Sequence, residues 1–330
     1  MKFIAFDVRD DEKTYFLAWE RENNIKVTLD SGVLDDQALE KVKGYDGVLA
    51  LQTRAYPAGM FEFFKKHGIK VLSVRNVGVD NLDLKAAQAN QILVTNVPAY
   101  SPNAIAEFSV TQLLQLLRQT TIFRQKVAAH DFRWAPYIGE ELCSKTVGVI
   151  GTGRIGKAAI KIYQGFNAQV IAYDLYPDPK LKSQGIYVPT LADLFQQADV
   201  ITLHLPATAQ DHYLLGEKAF AQMKQGVYIV NTARGALIDT KALLAALKNH
   251  RVAGAALDTY ENENSIFNHD LRSQPFDDPI LAELLVQPNV LITPHIAFYT
   301  KPAVENMVLI ALNSAKAVCQ QGKSDNLVTK

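Results

Sequence analysis

The sequence predicts an α/β protein built from two parallel-sheet units, the second inserted into the first. Three observations carry that reading. Short apolar runs alternate with amphipathic stretches over residues 2–98 and again over 146–298, the rhythm of strand, helix, strand. A glycine-rich turn, Gly151-Thr152-Gly153-Arg154-Ile155-Gly156, falls near the middle of the chain instead of near its start. The 330 residues also exceed the about 250 to 300 at which single hydrophobic cores stop growing.

Taken in order, the first block offers candidate strands at 2–7, 26–29, 47–51, 70–75 and 92–96, with helical patterns between them. The opening segment reads as the first of these strands, since its apolar run is too short for a secretory core. Ser101 as cap and Pro102 at the first helical position start a helix that runs through the apolar segment 108–117. An aromatic loop, Phe132-Arg133-Trp134-Ala135-Pro136-Tyr137, follows it. The second block then runs from 146, and a helix over 302–321 closes the chain. The expected division is 1–100 with 299–330 as an outer, substrate-binding domain and 101–298 as an inserted, cofactor-binding domain. Open parallel sheets bind ligands at the carboxyl ends of their strands, so a cleft between the two is the expected site.

Composition narrows the function classes. Lys plus Arg and Asp plus Glu both number 34, giving no net charge, which argues against nucleic acid as a principal ligand. No apolar stretch approaches the about 18 residues of a membrane span. Two cysteines, Cys143 and Cys319, make neither a disulfide framework nor a metal cluster, so no metal and a cytoplasmic location are expected.

The glycine turn sits in a full context. Thr146-Val147-Gly148-Val149-Ile150 reads as a buried strand before it, residues 157–163 as a helix after it, and Gln169-Val170-Ile171-Ala172-Tyr173 as a second strand ending on Asp174. That order is the Rossmann dinucleotide fingerprint. Gly151 permits the tight turn, Gly153 lets backbone amides approach a pyrophosphate, and Gly156 lets helix and sheet pack closely. Arg154 and Ile155 open the helix whose amino terminus favours phosphate. Asp174 is placed to accept hydrogen bonds from an adenosine ribose and to repel a 2′-phosphate. The following Leu175-Tyr176-Pro177-Asp178 offers no arginine to offset that repulsion. The cofactor expected is NAD.

Three polar residues of the second block follow strand-like runs. Residues 227–231 lead into Thr232-Ala233-Arg234-Gly235, 252–257 into Asp258-Thr259-Tyr260-Glu261-Asn262-Glu263, and 290–294 into His295. All three therefore belong to one rim. Each alone reads more simply as a salt-bridge partner, a solvated carboxylate or a structural imidazole. Together with the fingerprint they suit reduction of a 2-keto acid, in which an arginine fork clamps the carboxylate and polarises the ketone while a histidine beside a carboxylate supplies the proton. Glu261 and Glu263 both lie near the turn.

These motifs, with Arg75-Asn76-Val77-Gly78-Val79-Asp80-Asn81 and His295-Ile296-Ala297-Phe298-Tyr299, resemble the NAD-dependent D-2-hydroxyacid dehydrogenase family over essentially the whole chain, in its D-lactate and D-2-hydroxyisocaproate branch. The resemblance implies a flavodoxin-like outer domain, D stereochemistry, a homodimer built on the region from Ser101 to Tyr137, and catalysis by Arg234, Glu263 and His295. It also favours Glu263 over Glu261. Leu205, Pro206, Ala233 and Asp258 are expected to join the fingerprint at the cofactor, Asp258 at its nicotinamide end. Leu51, Val77, Gly78, Tyr100, Arg234 and Phe298 are expected at the substrate. His204 is expected to be structural beside the cofactor crevice; His67, His130, His212, His250 and His269 lack motif context. Lactate-preferring members carry tyrosine where this chain has Leu51, so branched or aromatic keto acids are expected to be accepted. The alternatives are a strict D-lactate dehydrogenase and, in another class, an NADH-sensing corepressor.

Overall fold

The computed structural model describes residues 1–52, 54–79 and 81–328; Thr53 and Asp80, which fall in or beside the segments quoted above, lie outside the described residues. The chain divides into two compact units, Met1–Ser101 with Tyr299–Lys330 and Pro102–Phe298.

The outer unit contains β1 (Lys2–Ala5), α1 (Asp10–Asn23), β2 (Lys26–Leu29), β3 (Gly47–Ala50), α2 (Met60–Lys66), β4 (Val71–Val74), α3 (Leu84–Ala89) and β5 (Leu93–Thr95), together with the long last helix Lys301–Gln321. Its five strands are parallel in the order β2-β1-β3-β4-β5, the flavodoxin-like order. Successive side chains in a strand point to opposite faces, and the two cores follow that rule. Phe3, Ala5, Leu49 and Val71 pack with Phe16 and Trp19 of α1 and with Val308, Leu312 and Ala315 of the last helix. Ile4, Val48, Ala50 and Leu72 pack on the other face with Met60, Phe64 and Ala87. β1 stops at Ala5, earlier than its apolar run suggested, and Asp7 already adopts a left-handed φ of 53°.

The inserted unit contains α4 (Pro102–Leu117), α5 (Thr120–Ala128), β6 (Thr146–Ile150), α6 (Arg154–Gly165), β7 (Gln169–Tyr173), α7 (Pro179–Lys182), α8 (Leu191–Gln197), β8 (Val200–Leu203), α9 (Glu217–Gln222), β9 (Val227–Asn231), α10 (Thr240–Lys248), β10 (Val252–Leu257), α11 (Pro279–Leu285) and β11 (Val290–Ile292). Its strands are parallel in the order β11-β10-β9-β8-β6-β7. A parallel bridge from Ala172 to Tyr187 adds a rudimentary strand outside β7. Counting it as the third strand, the order becomes 3-2-1-4-5-6-7, the Rossmann order with one strand appended. The order reverses between β6 and β8, and the glycine turn leaves β6 there.

Candidate active site

The glycine turn is built by close approach. Gly151 has φ 90°, and a Cβ on it would lie 2.6 Å from the His204 carbonyl oxygen; one on Gly156 would lie 2.0 Å from the Gly151 carbonyl oxygen. Around Gly153, by contrast, a Cβ would meet nothing within 4 Å. Strand and helix are thus clamped together while the middle of the turn stays open. α6 starts at Arg154 after Gly153, which makes no side-chain cap, and a helix amino terminus of this kind favours a phosphate. Asp174, just past β7, holds the rim: its Oδ2 accepts from Thr152 N at 2.5 Å and its Oδ1 from Tyr176 N at 2.8 Å. These features fit a dinucleotide.

The second cluster lies at the carboxyl ends of β9, β10 and β11. Asn231, the buried last residue of β9, braces the following turn: its Nδ2 donates to the Arg234 carbonyl at 2.9 Å and its Oδ1 accepts from Ala233 N at 3.0 Å. The Arg234 guanidinium is partly buried and donates from Nη1 to the Ala233 carbonyl at 2.8 Å. A Cβ at Gly235 would lie 2.1 Å from the Tyr260 carbonyl carbon, so only glycine lets this turn press against the one after β10. Glu263, three residues beyond Tyr260, accepts from Tyr260 N at 2.9 Å through Oε2 and meets His295 Nδ1 at 2.8 Å through Oε1. Its neighbour Glu261 turns elsewhere and accepts from the Tyr213 hydroxyl at 2.6 Å.

His295 adopts φ 57°, and its amide donates to the Asp258 and Thr293 carbonyls at 2.8 and 2.9 Å. The buried Asp258 holds this bend. Its Oδ1 accepts from Thr293 Oγ1 at 2.6 Å and from Ile296 N at 2.9 Å, and its Oδ2 from Ala297 N at 2.8 Å. Burial raises the Asp258 carboxyl above the ordinary range, against the stabilising pull of those donors. Expected at the nicotinamide end of the cofactor, this carboxylate is committed in the structure to the segment that carries His295. The His295 side chain is 32% exposed, and its Nε2 makes no hydrogen bond among the described residues. His204 differs. It is buried, its Nε2 pairs with Thr202 Oγ1 at 2.9 Å, and burial pushes its pKa down to about 4. A neutral, enclosed imidazole is a poor proton donor near neutral pH. Leu205 and Pro206 follow it on the chain just past β8, and Ala233 is buried in the Asn231 turn.

In the outer unit, the turn after β4 carries Val77 and Gly78. Their carbonyls are braced by Asn96 Nδ2 and Asn76 Nδ2, each at 2.7 Å, while neither amide donates to a partner among the described residues. Two free amides in a fixed turn suit an anion. Leu51 is half-buried one residue beyond β3. Tyr100 and Phe298 stand at the two places where the chain passes between units. Sequence reasoning missed Asn231 and Gly235 as supports of Arg234. A polar residue closing the apolar run Val227-Tyr228-Ile229-Val230, followed four residues later by glycine, was the available signal.

The two parallel sheets, the open glycine turn and the Asp174 carboxylate just past β7 define a dinucleotide-binding α/β protein with an acid–base pair beside its sheet. A family model described as D-isomer specific 2-hydroxyacid dehydrogenase, NAD binding domain, matches residues 110–297. The chain is 53% identical over 328 residues to the D-lactate/D-glycerate dehydrogenase of Pediococcus acidilactici and 52% identical over 329 residues to the D-lactate dehydrogenase of Lactiplantibacillus plantarum, with 99% of each chain covered in both cases. It matches the solved structure of a D-2-hydroxyisocaproate dehydrogenase with a TM-score of 0.92 at 44% identity, over 100% of both chains. The chain belongs to the D-isomer specific 2-hydroxyacid dehydrogenase family, and its cofactor is NAD.

Proposed function

We propose that the chain reduces 2-keto acids to D-2-hydroxy acids with NADH, as a D-lactate dehydrogenase-like enzyme with a pocket that takes branched or aromatic side chains. The observation that carries the chemistry is the 2.8 Å contact between His295 Nδ1 and Glu263 Oε1, with Nε2 free of partners among the described residues. The bound cofactor supplies a hydride to the carbonyl carbon. Arg234 clamps the substrate carboxylate and stabilises charge on the ketone oxygen. His295 gives that oxygen a proton from Nε2, and Glu263 favours the protonated imidazole and fixes its orientation. The fingerprint from Gly151 to Gly156, Asp174, Leu205, Pro206 and Ala233 belong to the cofactor side of the inserted unit, with Asp258 as a support. Val77, Gly78, Leu51, Tyr100 and Phe298 belong to the substrate side.

A homodimer is part of the same reading. α5 buries no residue, and Phe132, Trp134 and Ile138 are strongly exposed, an apolar area of the kind that marks association. Light scattering is expected to give twice the 36.6 kDa chain mass, and a monomer would refute this part. Among the described residues no helix is long and apolar enough to cross a membrane, and a cytoplasmic location is proposed on that and on the two free cysteines.

Catalytic efficiencies for pyruvate, 2-ketoisocaproate and phenylpyruvate test the substrate range. Where an aliphatic pocket accepts extra methylenes, discrimination runs about 10- to 200-fold, so a preference on that scale for the larger acids is expected. Leu51→Tyr is expected to move the ratio toward pyruvate. The curated relatives named D-lactate dehydrogenase favour the second reading, a strict D-lactate dehydrogenase. Pyruvate as best substrate, with ratios unmoved by Leu51→Tyr, would establish it.

A further inference from the structure

The cofactor rim contains a hydrogen-bonded chain that its proposed ribose-binding role does not by itself require. Thr152 Oγ1 lies 2.9 Å from Asp174 Oδ2 and 2.7 Å from the Tyr187 hydroxyl, which in turn lies 2.9 Å from Asp178 N. A hydroxyl has one proton to donate, and an ionised carboxylate can only accept. Thr152 therefore donates to Asp174, must accept from Tyr187, and Tyr187 accepts from the Asp178 amide. The polarity of the whole chain is fixed: Asp178 N–H to Tyr187 O–H to Thr152 O–H to Asp174.

The chain is held at both ends. Asp178 caps α7 through Oδ1, accepting from Lys180 N at 2.9 Å, and pairs with Lys157 Nζ of α6 at 2.9 Å through Oδ2. Tyr187 sits on the rudimentary strand beside β7, where Ala172 N donates to the Ile186 carbonyl at 2.8 Å and Val188 N to the Ala172 carbonyl at 3.0 Å. Thr152 is 3% exposed. The segment 174–178 is thus tied down at its first and last residues by side chains that belong to different elements.

We propose that Tyr187 and Thr152 are positioning residues for cofactor selectivity: they lock the Asp174 carboxylate so that it cannot swing aside for a 2′-phosphate. This rests on the reading that Asp174 holds the adenosine ribose. Preference for NADH over NADPH then depends on the chain as well as on the charge of Asp174. Rotation of the carboxylate would strand the Thr152 hydroxyl proton, which the Tyr187 donation leaves free for Asp174 alone, together with the Thr152 amide, and unmade buried hydrogen bonds are costly. Lys157, a cation on the same rim, is held by Asp178 rather than left to a phosphate.

The test is titration of NADH and NADPH against the purified apoprotein, followed by fluorescence, for the parent and for Asp174→Ala, Tyr187→Phe, Thr152→Val and Thr152→Ser, with thermal denaturation scoring folding. Asp174→Ala is expected to narrow the ratio of the two dissociation constants most. Tyr187→Phe and Thr152→Val are expected to narrow it by roughly two- to tenfold, the scale of one hydrogen bond, while Thr152→Ser, which keeps the hydroxyl, retains the parent ratio. If Asp174→Ala narrows the ratio but the folded Tyr187→Phe and Thr152→Val variants keep the parent value, the positioning role is overturned and the Asp174 reading survives. If Asp174→Ala leaves the ratio unchanged, that reading falls and the positioning role with it.

Discussion

Two close acid–base pairs, Arg75 with Glu12 in the outer unit and His295 with Glu263 in the inserted one, differ in what is left over. In the outer unit, Arg75 and Glu12 are both 0% exposed. Arg75 donates to Glu12 from Nε at 3.0 Å and from Nη2 at 3.3 Å, to the Phe6 carbonyl at 3.1 Å and to the Asp7 carbonyl at 2.8 Å. Glu12 further accepts from Arg9 N at 3.0 Å. In the inserted unit, Glu263 and His295 share one contact at 2.8 Å, with side chains 15% and 32% exposed. The first pair has its hydrogen-bonding capacity committed to the backbone turn after β1 and to α1. The second pair keeps a ring nitrogen without a partner among the described residues. Sealed and saturated, a pair of charges fixes structure; half-open, with an unused atom, it can act on a substrate.

The largest effect expected from this contrast is on stability. Arg75→Met would leave the Glu12 carboxylate buried without its partner, a change that typically costs about 3 to 5 kcal/mol, so urea unfolding is expected to show a loss on that scale. His295→Asn is expected to change stability by less than about 1 kcal/mol while lowering turnover about a hundredfold or more, the usual scale for a general acid. A tolerant Arg75 site together with a His295→Asn variant that unfolds would invert the comparison.

The sequence made the sheets legible because parallel strands buried on both faces are continuous apolar runs: all four residues of β3 and of β8 are buried. The glycine fingerprint was equally legible, since its spacing is dictated by the close approach of backbones at Gly151 and Gly156. The break between α4 and α5 was not, for it lies in a left-handed φ of 49° at Gln119, a residue that carries no turn signature. Within the site, residue types were readable and partners were not. Glu261 and Glu263 differ by two positions in a polar loop, and only the fold sends one to Tyr213 and the other to His295. The commitment of Asp258 to Thr293, Ile296 and Ala297 likewise joins residues 35 to 39 positions apart, which no local pattern encodes.

A smaller but more direct effect concerns pH. The glutamate's negative charge favours the protonated imidazole, and keto acid reduction needs that form; removing the charge makes the proton easier to lose. The deciding measurement is the pH dependence of keto acid reduction with saturating NADH for the parent, Glu263→Gln and Glu261→Gln. The high-pH fall in rate is expected to move to lower pH in Glu263→Gln and to stay in place in Glu261→Gln. An unmoved profile in Glu263→Gln, with the shift appearing in Glu261→Gln, would contradict the assignment of the Glu263–His295 pair as the proton donor.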